Sequence, residues 1–167
     1  MTTSIVARGL DQCVELLRAV SPDDLQRPTP CSEWTVADLS DHIVNSTAGM
    51  ATMAHGGAPV WANPAHHDDP ATVLEAEGRA LVDALAGSDS FPTGMAAAEL
   101  AVHAYDLATA LGRDTAGLDP EVAETGLEFM SASMKPEMRG DAFGPEQPAP
   151  EGADAYRRLA AFAGRTV

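Results

Sequence analysis

Three ionisable residues, Glu99, His103 and Asp106, stand in the run Gly94-Met95-Ala96-Ala97-Ala98-Glu99-Leu100-Ala101-Val102-His103-Ala104-Tyr105-Asp106-Leu107-Ala108, which is otherwise almost entirely apolar. On a helix, with Glu99 taken as the origin, His103 falls at about 40° and Asp106 at about −20°. The three therefore form one narrow polar stripe. Leu100, Leu107 and Leu111 flank it on one side and Val102 on the other. Ionisable groups in an apolar helix are costly unless they are paired or ligate a metal. A carboxylate and an imidazole one turn apart make half of a metal site.

The stripe needs a partner helix, and the chain offers one. Thr35 reads as an N-cap with Asp38 at the third helical position, an approximate capping box. Trp34 and Leu39 are placed to form a hydrophobic staple around it. The helix runs to about Met53 with Val36, Leu39, Ile43, Ser46, Met50 and Met53 facing inward. His42 lies about 60° from Leu39, close enough to the core stripe to look inward.

The rest of the chain is helical nearly throughout. A first helix is expected over 4–20, with Val6, Leu10, Cys13, Val14, Leu16 and Leu17 as its apolar stripe. Ser21 to Asp24 reads as a stop followed by a short helical start, and 27–31 as loop. Residues 56–70 are rich in Gly, Pro, Asn, Asp and His and read as loop. A third helix is expected over 71–86 with Val73, Leu74, Ala80, Leu81 and Leu85 inward. The stripe helix ends near Gly112, a plausible left-handed C-cap. Asp119-Pro120 starts a fifth helix reaching about Met134. Residues 136–152 are Pro-rich and extended, and a last helix covers 153–163. No strand alternation, repeat or low-complexity tract is present. Four long helices joined by loops predict an all-α, up-and-down four-helix bundle with an additional C-terminal helical segment. Metal sites in such bundles are built from side chains on facing helices.

Composition narrows the function. The 167 residues suit one domain, 1–167, with a sizeable core. Two Trp, two Tyr and four Phe are few, so alanine and leucine fill most of that core. The net charge of −15 argues against nucleic acid and anionic membrane as partners, since both demand cationic surface. Cys13 and Cys31 are too few for a disulfide framework and lack CxxC spacing. No stretch reaches the roughly 18 apolar residues of a membrane span. Residues 1–10 carry Arg8 but no apolar run and no small-residue cleavage site, so no signal peptide is expected. These readings place the protein in the cytoplasm.

Two blocks in the right order carry a family likeness. Thr29-Pro30-Cys31-Ser32-Glu33-Trp34-Thr35-Val36-Ala37-Asp38-Leu39-Ser40-Asp41-His42-Ile43 resembles the opening signature of the mycothiol-dependent maleylpyruvate isomerase-like, metal-binding proteins, members of the DinB-like helical-bundle superfamily. Glu99 to Ala108 resembles their second signature. Phe143-Gly144 followed by Arg158 to Arg165 resembles the ending of short, single-domain members. The resemblance implies a DinB-like bundle with His42, Glu99 and His103 as metal ligands. Two imidazoles and one carboxylate leave positions open for water or substrate. Zinc is the first choice, and nickel, iron, manganese and copper tolerate the same ligands. The resemblance further implies mycothiol as co-substrate and a thiol-dependent transferase or isomerase of small electrophiles. A homodimer is left open.

Bland readings stand beside these. The three residues could form a hydrogen-bonded cluster with no ion. The protein could bind metal without catalysis, or be a degenerate bundle serving protein association. Asp106 either accepts a hydrogen bond from a ligand imidazole or has a partner elsewhere. Asp38 and Asp41 read as charge at a helix start. His66-His67, Asp68-Asp69 and His55 read as solvated loop. Cys31 reads as a small buried hydrophobe, and Met50, Met53, Met130 and Met134 as core filling.

Overall fold

Helix boundaries follow the capping chemistry of the chain. A computed structural model describes residues 2–31, 33–61, 64–140 and 143–167, with 2–4 described by backbone alone. Ser32 of the 29–43 block and Asn63 of the loop lie outside the described residues. The helices are α1 (Thr2–Arg18), α2 (Val36–Ala54), α3 (Pro70–Ala86), α4 (Thr93–Ala110), α5 (Pro120–Ser133) and α6 (Ala155–Phe162). Among the described residues there is no strand, only an isolated bridge between Pro28 and Thr35. The architecture is the all-α, DinB-like bundle expected.

α1 stops two residues early because Pro22 forces Ser21 into extended backbone, φ −96° and ψ 163°. Ala19 and Val20 close the helix with tight bonds to the Leu16 and Leu17 carbonyls. α2 begins on the expected capping box: Asp38 N–H donates to Thr35 Oγ1, and the Thr35 N–H donates to Asp38 Oδ2 at 2.9 Å. α3 begins one residue earlier than expected, with Asp69 as N-cap and Pro70 at the first position. Its buried stripe is Ala71, Leu74, Gly78, Leu81, Ala84 and Leu85. Ala80 is exposed, contrary to expectation, because it lies on the far side of that stripe. Gly112 takes φ +69° after α4, as its C-cap role predicted.

α4 is the central helix. It packs on α1, α2, α5 and α6 and is buried from Ala96 to Ala108 except at Glu99. That burial on all sides explains its uniformly apolar sequence. The closest approach is to α5, where a Cβ on Gly126 would sit 2.8 Å from Ala98 Cα. α1 and α2 both pack against α3 and α4, which closes the four-helix bundle. Residues 64–69 lie back along α2: Asn45 Nδ2 donates to the Ala65 carbonyl, and the His67 N–H to Asp41 Oδ1. α3 therefore starts beside the start of α2 and the two run the same way, so the up-and-down order expected from the sequence fails at this one step, because the connection returns along α2 before α3 begins. Among the described residues no helix is long and apolar enough to cross a membrane.

Candidate metal centre

α2 and α4 bring the three predicted ligands together at their shared face. A nitrogen of His42, a carboxylate oxygen of Glu99 and a nitrogen of His103 all lie within 4.8 Å of one another. His42 Nε2 is 2.7 Å from Glu99 Oε1, and His103 Nε2 is 3.4 Å from the same oxygen. Neighbouring ligands on an ion at about 2.1 Å stand roughly 3.0–3.4 Å apart. The two nitrogen–oxygen separations match that spacing to within a few tenths of an ångström, and the two imidazole nitrogens lie within 4.8 Å of each other, so the donor set fits a divalent ion. The two imidazoles meet edge to face with ring centres 4.7 Å apart.

Asp106 takes up the other nitrogen of His103. Its Oδ2 is 3.1 Å from His103 Nδ1, and its side chain is fully buried. Arg165 grips the same carboxylate, with Nη2 donating to Oδ2 at 3.0 Å and Nε to Oδ1 at 3.3 Å. The Asp106 carboxylate thereby fixes which face of the His103 ring looks at Glu99, the usual way that a ligand imidazole is oriented.

The electrostatics follow from burial set against pairing. Burial alone would raise the Glu99 carboxyl, but the adjacent His103 and His42 hold it well below the usual carboxylate range. Burial alone would lower His103, but the charge of Glu99 and the bond to Asp106 push it up to about 9. Asp106, despite burial, is kept low by His103 and Arg165.

Two features of the site escaped sequence reasoning. Trp34, assigned to a staple, stands with its ring 4.4 Å from that of His42 and 6.1 Å from that of His103, so it covers both imidazoles. A tight turn puts it there: Glu33 adopts φ +70°, and Thr29 Oγ1 donates to the Cys31 and Trp34 carbonyls. Arg165 was part of a tail motif with no role. It reaches Asp106 because Gly164 takes φ +91° and lies so close to Gly144 that a Cβ would stand 2.7 Å from its backbone. Only glycine meets both demands there.

Cys31 is half-buried, rather than sealed in the core, and its sulfur lies within 4.8 Å of His103 and Asp106 ligand atoms. Burial and then the Asp106 charge push its thiol up to about 11. That favours the protonated thiol over a thiolate ligand, and His103 Nδ1 is already engaged by Asp106. Asp41 does not merely sit at a helix start. It accepts from the His67 N–H and lies 2.8 Å from His66 Nδ1. His66 is exposed as expected, but His67 is half-buried, with Nε2 3.2 Å from Asn45 Oδ1. Replacing both with Ala is expected to loosen the loop and leave the metal content of the purified protein unchanged. Loss of bound metal in that variant would show that the ligands lie elsewhere.

A cavity of about 330 Å³ opens between α4, α5 and the segment after α5. Its walls include Met95, Val102, Phe129, Met130, Met134 and Phe143, together with Glu99. Glu99 thus belongs to both the ligand cluster and the cavity. Met130, buried in the core as expected, and Met134, packed against it, also line this cavity.

A family model described as the mycothiol maleylpyruvate isomerase N-terminal domain matches residues 6–165. Two proteins of Mycobacterium tuberculosis, one from strain CDC 1551 and one from strain H37Rv, are each 34% identical over 175 residues. The similarity covers 96% of this chain and 95% of each relative, and both relatives are named as uncharacterized. No solved structure matches the chain.

Proposed function

The chain belongs to the mycothiol maleylpyruvate isomerase N-terminal domain family, and from that premise we propose that it holds a divalent metal ion at His42, Glu99 and His103 for thiol-dependent chemistry on a small electrophile. The observation that carries the reading is the convergence of two imidazoles and a carboxylate at ligand spacing, beside a cavity and under family membership. Such an ion would lower the pKa of a thiol and keep it as the thiolate that S-transfer or addition–elimination isomerisation needs.

The chain's own residues do the rest. Asp106 keeps the His103 tautomer with Nε2 toward Glu99, and Arg165 keeps Asp106 in place. Trp34 shields the imidazoles from water on one side. Glu99 opens onto the cavity, where a second reactant can lie against the site. Zinc is the favoured ion for this donor set, with nickel, iron, manganese and copper as chemical alternatives. The same reading makes residues 1–167 one domain. It makes a small thiol and an electrophile the partners, rather than nucleic acid or membrane, and the cytoplasm the working compartment.

The test is thiol dependence. Metal-loaded protein should bind mycothiol or a mimic at millimolar concentration, and its consumption of a panel of electrophiles should collapse without the thiol. Consumption that continues unchanged without thiol would replace the reading with hydrolysis from the same ligands. Neither binding nor consumption would leave metal binding without catalysis. One further reading has an observation behind it: among the described residues no buried side-chain polar atom lacks a hydrogen-bond partner, so the cluster is also satisfied as an ion-free network. Metal content separates that reading from the proposal.

A further inference from the structure

Four of the seven methionines, Met95, Met130, Met134 and Met138, line the cavity beside Glu99, joined there by Phe129 and Phe143. Among the described residues, Ser133 is the only polar one in the wall besides Glu99, and no Lys, Arg or His contributes to it. Two cations neighbour that wall in sequence and neither lines it: Lys135, next to Met134, is exposed, and Arg139, next to Met138, donates to the Gly144 and Phe162 carbonyls and lies over the Phe162 ring. The Arg165 guanidinium is committed in part to Asp106. A carboxylate or phosphate entering this space would lose its water and find no cation among the described residues of the wall. An apolar body would gain from displacing water along flexible, polarisable methionine walls, which adapt to varied shapes. The volume of about 330 Å³ lies at the small end of the range for ligand pockets.

We propose that this methionine-lined cavity is the electrophile pocket, and that it takes an uncharged, apolar small molecule whose reactive end points to Glu99. The assignment of the occupant as the electrophile rests on the metal–thiol reading above. A hydrophilic thiol gains nothing from such walls, so the cavity is left to the other reactant. Anionic electrophiles are excluded by the same walls.

The experiment uses a matched pair of fluorescent probes, neutral N-phenyl-1-naphthylamine and its sulfonated counterpart 8-anilino-1-naphthalenesulfonate, titrated against the intact protein with and without metal. The neutral probe should bind in both forms, and the sulfonate about tenfold more weakly or worse. Met134→Lys, a change at a half-buried position on the cavity wall, should weaken the neutral probe and strengthen the sulfonate, with helical circular dichroism unchanged. Val102→Trp, which fills the cavity, should abolish neutral-probe binding. Protein that takes up no metal yet binds the neutral probe selectively would overturn the metal–thiol reading and leave the pocket's preference for uncharged ligands standing. Metal-loaded protein that binds both probes equally, prefers the sulfonate, or binds the neutral probe undiminished in Val102→Trp would overturn the proposal.

Discussion

His103→Ala is expected to abolish stoichiometric metal binding while the bundle stays folded. His103 is the best-fixed of the proposed ligands, buried on α4 with both ring nitrogens engaged, Nε2 toward Glu99 and Nδ1 toward Asp106. Its removal leaves His42 and Glu99, a two-residue site, and affinity is expected to fall by more than the 10–100-fold typical of losing an orienting partner alone. The fold should survive because its core is elsewhere: Leu39, Ile43, Leu74, Leu81, Leu100, Leu107 and Leu159 are all essentially fully buried and untouched by the change. Equilibrium dialysis against zinc, read beside a thermal melt, separates the two effects. A folded His103→Ala protein that retains full metal content would show that the ligands were wrongly assigned.

Asp106→Ala is expected to be the most destabilising single change near the site. It takes the paired carboxylate from Arg165, whose side chain is only 4% exposed, and it removes the acceptor from His103 Nδ1. Breaking a buried ion pair by deleting one partner costs about 3–5 kcal/mol, because the remaining charge has lost its counterion. Urea denaturation should show the midpoint falling accordingly. Replacing both members with apolar residues, Asp106→Leu with Arg165→Met, should recover most of that stability, yet keep the loss of metal affinity, since nothing then orients His103. If Asp106→Ala unfolds within about 1 kcal/mol of the native protein, the pair carries far less than its burial implies.

What the sequence revealed was what short-range chemistry determines. The Thr35/Asp38 box, Pro120 at a first turn and Gly112 past a last turn each act within a few residues, and each is where it was expected. The juxtaposition of Glu99 and His103 follows from one helical turn, and the inward tilt of His42 from its angle to Leu39. The Arg165 contact could not be read this way, since it spans 59 residues and depends on the Gly164–Gly144 approach. Trp34 shows a different limit. A staple and a cover for two imidazoles call for the same residue type at the same position, so the sequence pattern that suggested the first gave no sign of the second. The methionines illustrate a third: periodicity says that Met130 faces inward but not whether the space it faces is filled. The length of the 55–69 connection was a signal of the parallel α2–α3 step, because a tight reversal needs far fewer residues.

The central claim is that His42, Glu99 and His103 hold a metal ion rather than one another. Elemental analysis of the purified, intact chain, repeated after reloading with excess zinc and gel filtration, tests it most directly. The account predicts about one divalent ion per chain, removed by a chelator and restored by zinc, as expected of three protein ligands with open positions. Folded protein that retains roughly a tenth of an ion or less per chain after reloading would contradict it, and the three residues would then be an ion-free hydrogen-bonded cluster.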